Sequence, residues 1–184
     1  MKPTDILKEE HRGIKLMLSI LYRMCLKLQA NEQVDLIHLE QSIEFFKGFA
    51  DKCHHMKEEN LLFPAMGKKG FPREAGPIAV MLDEHTIGRR YIAAMTEALS
   101  AMKKGNVGAS FDFVKAARGY ISLLSEHIEK EDNVLFPMAE MHLSDEVQST
   151  LAKEFELVER EEIGESKHEE YHEMMKVLKG IYLT

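Results

Sequence analysis

Apolar residues recur every three or four positions along nearly the whole chain, the period that lays one face of an α-helix against a core. The first stripe, over about Thr4 to Ala30, runs Leu7, Ile14, Leu18, Leu21, Cys25 and Leu28 behind a Thr/Asp start signal, with His11 in its seam. The second, about Gln33 to Gly67, carries Leu36, Leu39, Ile43, Phe46 and Ala50, then His54 and Glu58 where two more apolar residues belong. Gly67, Gly70, Pro72, Gly76 and Pro77 break the pattern. A third stripe, roughly Ile78 to Lys104, reads Ile78, Met81, His85, Ile92, Met95, Leu99 and Met102. A fourth, about Ser110 to Met141, reads Phe113, Ala117, Tyr120, Leu124, His127, Glu131 and Val134. Almost no two-residue alternation appears, so the fold class is all-α.

Four such helices joined by short loops predict an up-down-up-down bundle over residues 1–141, in which neighbours run antiparallel. A C-terminal helical extension over 142–184 completes a single domain. Direction then sets where the polar intrusions meet. His11 and His85 lie near the starts of their helices, whereas His54 with Glu58 and His127 with Glu131 lie near the ends of theirs. All six therefore come to one end of the bundle interior.

One phrase is written twice. His54-His55-Met56-Lys57-Glu58-Glu59-Asn60-Leu61-Leu62-Phe63-Pro64 recurs as His127-Ile128-Glu129-Lys130-Glu131-Asp132-Asn133-Val134-Leu135-Phe136-Pro137. A His and a Glu four residues apart stack on one helix face. That spacing alone is weak evidence in so Glu-rich a chain, and it also occurs at His55 with Glu59 and at His142 with Glu146. The shared Asn-Leu/Val-Leu-Phe-Pro in identical register singles out His54 and His127. Two such faces turned toward each other make a cage of imidazole nitrogens and carboxylate oxygens suited to a pair of iron-like metals. Two buried carboxylates need a compensating charge, which such metals supply. His55 reads as a neighbour of the site, and His38 and His142 as surface or boundary residues.

The extension reads as a helix over about Ser144 to Glu162, a break at Gly164, and a second amphipathic stretch through Lys167 to Met175. His168 and His172 stand one turn apart there, with Tyr171 between them. They are candidate further nitrogen donors, because the fourth helix delivers the extension to the metal end; the competing reading is a solvated face rich in Glu and His.

A net charge of −7 and a pI near 5.7 without a basic stripe argue against nucleic acid. No apolar run reaches membrane-spanning length and no signal core opens the chain, so a cytoplasmic location is expected. Cys25 and Cys53 read as buried free thiols, and most of the 12 Met as core filler.

The order His, His-x-x-x-Glu, His, His-x-x-x-Glu, carried by Glu10-His11, His54 to Pro64, Glu84-His85 and Glu126 to Pro137, resembles the hemerythrin-like, or hemerythrin HHE cation-binding, family. The resemblance implies a non-haem centre of two iron ions with an oxo or hydroxo bridge. It makes Glu58 and Glu131 bridging carboxylates, and His11, His54, His85 and His127 terminal ligands. Oxygen-carrying hemerythrins place a second His one turn after the third-helix ligand, where this chain has Arg89, and space an Asp five residues after the last His, where Glu131 follows His127 by four. The chain is more similar to the branch that contains the iron-sulfur repair di-iron proteins. Three classes of function follow: a di-iron protein that binds or senses oxygen, nitric oxide or reactive oxygen species; an enzyme that reduces peroxide or nitric oxide or donates iron to damaged clusters; and a structural bundle holding zinc or no metal. The expected partner is a small diatomic or peroxide ligand, with no nucleic acid and no membrane, and a homodimer is left open.

Overall fold

The computed structural model describes the backbone of residues 1–184 and all side chains except those at positions 162, 163 and 165. Helix α1 (Pro3–Gln29) begins with Pro3, whose missing N–H costs nothing at a helix start, and Asp5 accepts a hydrogen bond from the Lys2 backbone N–H. Helix α2 (residues 36–67) starts later than the periodicity predicts. The chain turns at Asn31, in the left-handed region at φ 56°, and Asp35 then caps the helix by accepting from the Ile37 N–H at 2.9 Å. Helix α3 (Gly76–Lys103) and helix α4 (residues 109–142) follow, the latter entered through Gly108 at φ 96°. Helix α1 packs against α2 and α4, and α3 packs against α4 and α2, closing a four-membered ring of helices.

Where periodicity predicts regular α-helix through each repeated phrase, the structure widens into π-helical turns. The Phe63 N–H bonds to the Glu58 carbonyl and the Phe136 N–H to the Glu131 carbonyl, each five residues back. Pro64 and Pro137 explain the position of both. A proline has no N–H for the carbonyl four residues earlier, and its ring collides with that carbonyl in a tight α turn. One extra residue in the turn before it relieves the collision.

The bundle has two apolar clusters. The larger is built from residues such as Met17, Leu21, Phe46, Met95, Phe113 and Leu124. The smaller, at the other end, gathers Leu7, Phe63, Met81, Phe136, Leu151 and Phe155. His11, His54, His85 and His127 fall in sequence between members of the two clusters, so the polar layer has hydrocarbon on either side.

The extension forms helix α5 (residues 145–163) and helix α6 (Glu165–Tyr182). Ser144 caps α5 by accepting from the Val147 N–H, and Leu151 and Phe155 close the smaller cluster. Helix α6 lies along α1 and the first part of α2 with Tyr171, Met175, Leu178 and Tyr182 buried in the larger cluster. Gly48 permits that approach: a Cβ there would sit 2.1 Å from the Tyr171 hydroxyl oxygen. No described helix is long and apolar enough to cross a membrane.

Candidate metal centre

The bundle brings six side chains together: His11 from α1, His54 and Glu58 from α2, His85 from α3, and His127 and Glu131 from α4. None is more than 2% exposed. The imidazoles form two pairs, with Nε2 of His11 at 3.0 Å from Nε2 of His54, and Nε2 of His85 at 3.1 Å from Nε2 of His127. Each carboxylate spans both pairs. Glu58 sets Oε1 at 3.5 Å from His54 Nε2 and Oε2 at 3.4 Å from His85 Nε2. Glu131 sets Oε1 at 3.2 Å from His127 Nε2 and Oε2 at 3.3 Å from His11 Nε2.

These groups could hold a cation. All four oxygens of Glu58 and Glu131 are buried without a hydrogen-bond partner among the described residues. Leaving an ionised carboxylate uncompensated in such a place costs several kcal/mol. Nitrogens 3.0 and 3.1 Å apart are also the spacing of two donors at a right angle round one ion at about 2.1 Å, against about 3.4 Å for a tetrahedral pair. The same field draws protons. Burial works against a charge on His11 and His127, but Asp132, Glu131 and Glu58 outweigh it and raise His11 to about 9, while Glu131 and Glu84 raise His127 to about 10. Burial likewise opposes ionisation of Glu131, yet the facing His127 and His11 hold its carboxyl well below the usual range.

Each imidazole is held from behind by a carboxylate on the neighbouring helix. Glu10 of α1 accepts from Nδ1 of His54 at 2.8 Å, and Glu59 of α2 from Nδ1 of His85 at 2.7 Å. Glu84 of α3 accepts from Nδ1 of His127 at 2.8 Å, and Asp132 of α4 from Nδ1 of His11 at 2.7 Å. The chain of contacts thus runs once round the bundle. Four cations brace it from outside: Lys57 on Glu10, Arg89 on Glu59, Lys130 on Glu84 and Lys15 on Asp132. With every Nδ1 donating outward, all four Nε2 atoms face the centre, the orientation a metal ligand requires. The Phe of each repeated phrase also packs on one of these imidazoles, Phe63 stacking on His85 and Phe136 on His11.

His55 lies closer to the centre than a mere neighbour would. It is buried, its ring stacks on His85 with centroids 3.9 Å apart, and it groups with Glu58, His85 and His127 as a second set of donor atoms within 4.8 Å of one another. The other set is His11, His54, Glu58 and Glu131. Burial and the adjacent His85 push the His55 ring well below its ordinary value, so it is neutral. Its Nδ1 bonds Asp51 at 3.3 Å, and Arg89 braces Asp51 in turn.

Neither set includes His168 or His172. His168 sits on α6 against Glu159 (3.3 Å) and Phe49, and His172 is exposed beside it. They lie where α6 runs back along α1 and α2 rather than over the centre. Tyr171, between them, reaches the Glu44 carbonyl at 3.5 Å. The extension reaches the centre's surroundings through Phe155, whose ring faces Lys57, and Glu159, 3.8 Å from the fully buried ammonium of Lys57. Sequence reasoning missed Glu10, Glu59, Glu84 and Asp132 as supports. Their signal was available, since each stands next in sequence to a candidate ligand on its own helix. Cys25 and Cys53 are buried thiols, pushed by burial up to about 11 and about 12.

Residues 2–139 match the family model described as the hemerythrin HHE cation binding domain. An uncharacterized protein of Mycobacterium tuberculosis is 26% identical over 164 residues, which cover 89% of this chain and 63% of that protein. Proteins named iron-sulfur cluster repair protein YtfE are similar over a shorter stretch. The one from Pectobacterium atrosepticum is 34% identical over 88 residues, and the one from Musicola paradisiaca is 38% identical over 89, in each case 47% of this chain and 40% of the relative. The chain thus spans less than two thirds of the length of these relatives. No solved structure matches it at comparable significance. With the family's order of ligands in the sequence and the family model matched over three quarters of the chain, the protein belongs to the hemerythrin HHE cation-binding domain family.

Proposed function

We propose that this is a non-haem iron protein whose centre holds two iron ions and binds or senses oxygen, nitric oxide or reactive oxygen species. One observation carries the reading: Glu58 and Glu131 each offer one unpartnered oxygen to each of two imidazole pairs. His11 and His54 would hold one ion and His85 and His127 the other, both carboxylates spanning the two. That gives four protein donors to each ion, where iron commonly takes five or six, so room remains for a small ligand.

Iron bound there supplies a reversible change of oxidation state and a place for a diatomic or peroxide ligand. The chain's own residues set the conditions. Glu58 and Glu131 bring two negative charges into a layer lined by hydrocarbon on both sides, and this favours cations over water. Glu10, Glu59, Glu84 and Asp132 keep the Nδ1 protons of the four imidazoles outside the centre, fixing the tautomer. Asp51 and Arg89, which hold His55 and Glu59 from outside, line a surface groove.

A second reading is supported by the likeness to proteins named for iron-sulfur cluster repair: the same centre acts as an enzyme on peroxide or nitric oxide, or donates its iron. Protein reconstituted anaerobically with ferrous iron and exposed to oxygen or nitric oxide separates the two. Binding or sensing gives new near-ultraviolet and visible absorption that is lost when the gas is removed, with both irons retained. Sustained consumption of peroxide or nitric oxide, or transfer of iron to an apo-cluster acceptor, supports the second reading. A centre loaded with zinc shows none of these bands.

A further inference from the structure

We infer that His55 is an additional metal ligand, supplying a nitrogen to the ion held by His85 and His127, so that the two ions of the centre differ in their protein donors. The inference rests on the dinuclear reading above. Every imidazole that faces the centre shares one arrangement: Nδ1 donates to a carboxylate, and a cation braces that carboxylate from outside. His55 repeats it, with Nδ1 on Asp51 and Asp51 on the guanidinium of Arg89 at 2.8 Å. An ionised carboxylate accepts and cannot donate, so Nε2 carries the free lone pair. A ring nitrogen of His55 lies within 4.8 Å of donor atoms of Glu58, His85 and His127.

This backing matches that of the four other imidazoles and is the kind that orients metal-ligating histidines. The ring now lies nearly parallel to His85, with planes 17° apart. Parallel rings set their nitrogens side by side, so coordination requires the His55 ring to tilt off the stack while Asp51 keeps its hold on Nδ1. The repeat makes the consequence one-sided. At the position of His55 the second phrase has Ile128, buried and without a donor atom. The ion at His11 and His54 therefore gains no equivalent nitrogen.

The test uses the full chain loaded anaerobically with two equivalents of ferrous iron. Imidazole N–H protons on paramagnetic iron are shifted far outside the ordinary proton range, and each Nδ1–H here is shielded by its carboxylate. Five such exchangeable resonances are expected, whereas four in a protein holding two irons would overturn the inference and leave the dinuclear reading standing. A wild-type chain that holds fewer than two irons would instead sink the dinuclear reading. The His55→Phe variant keeps a ring to stack on His85 but has no nitrogen. It is expected to show four resonances and to bind the iron at His85 and His127 about 100-fold less tightly against a chelator. Unchanged affinity in a folded His55→Phe chain would make His55 a packing residue. If that variant fails to fold, the wild-type resonance count decides alone.

Discussion

The two copies of the repeated phrase build the same ligand geometry in different surroundings. In both, a His and a Glu stand one turn apart, the next acidic residue holds an imidazole on a neighbouring helix, and a Phe stacks on that same imidazole before the proline. Around the first copy the structure closes: Lys57 is fully buried, with Phe155 and Glu159 of α5 against it. Around the second it stays open, and the matching Lys130 side chain is 42% exposed. Ligand placement thus needs only the residues the copies share, whereas the cover over each half depends on residues outside the repeat.

The largest expected effect breaks the element common to both halves. Glu58→Ala or Glu131→Ala removes an oxygen from each imidazole pair at once, so both variants should lose the two-iron state and its absorption entirely. His11→Ala removes a donor from one pair only and should leave the His85 and His127 side partly occupied, as read by iron per chain.

The lysines separate the halves. Lys57→Met strips Glu10, only 10% exposed, of the buried lysine that balances it and should cost about 3 kcal/mol or more of metal-free stability in denaturant titration. Lys130→Met removes a lysine that is 42% exposed and should cost about 1 kcal/mol or less. Equal costs would erase the asymmetry between the copies.

Much of this was legible in the sequence, for identifiable reasons. The helical period and the proline and glycine breaks predicted four bundle helices, and antiparallel direction gathered the six candidate residues at one end. The partners behind them were not legible, because pairing Glu10 with His54 or Glu84 with His127 depends on the register between helices, which no period along one helix reveals. The π turns went unread for a related reason: one extra residue in a turn leaves the apolar pattern nearly unchanged, although Pro64 and Pro137 marked where it would fall. His168 and His172 had ligand spacing, but Tyr171 and Met175 turn their helix toward the core of α1 and α2 instead.

A smaller effect is expected from the outer carboxylates. Glu84→Gln, or Asp132→Asn on the other half, keeps every ligand but loosens one imidazole, and should weaken iron binding about 10- to 100-fold in competition with a chelator. A change confined to stability, with affinity intact, would mean that the supporting ring packs the bundle without orienting the ligands.

A further effect is a dependence on pH in the metal-free protein. His11 and His127 are raised to about 9 and about 10 by their carboxylates, above the value of about 6.5 for an unfolded chain. Their contribution to stability is therefore fully present below about pH 6.5 and is lost as pH rises through 9 and 10. The melting temperature of metal-free protein should fall by about 4 °C or more between pH 7 and pH 10. With iron bound, the ions take the place of those protons and the slope should vanish. A parallel fall in both forms would contradict this exchange.

The central claim is that each of two buried carboxylates serves two metal sites at once. Iron content per chain, measured after anaerobic ferrous reconstitution and removal of loosely held metal, tests it most directly. Two tightly held irons per wild-type chain, falling together to none in Glu131→Ala, is the expected result; one tightly held iron in the wild type, or two in Glu131→Ala, would contradict it.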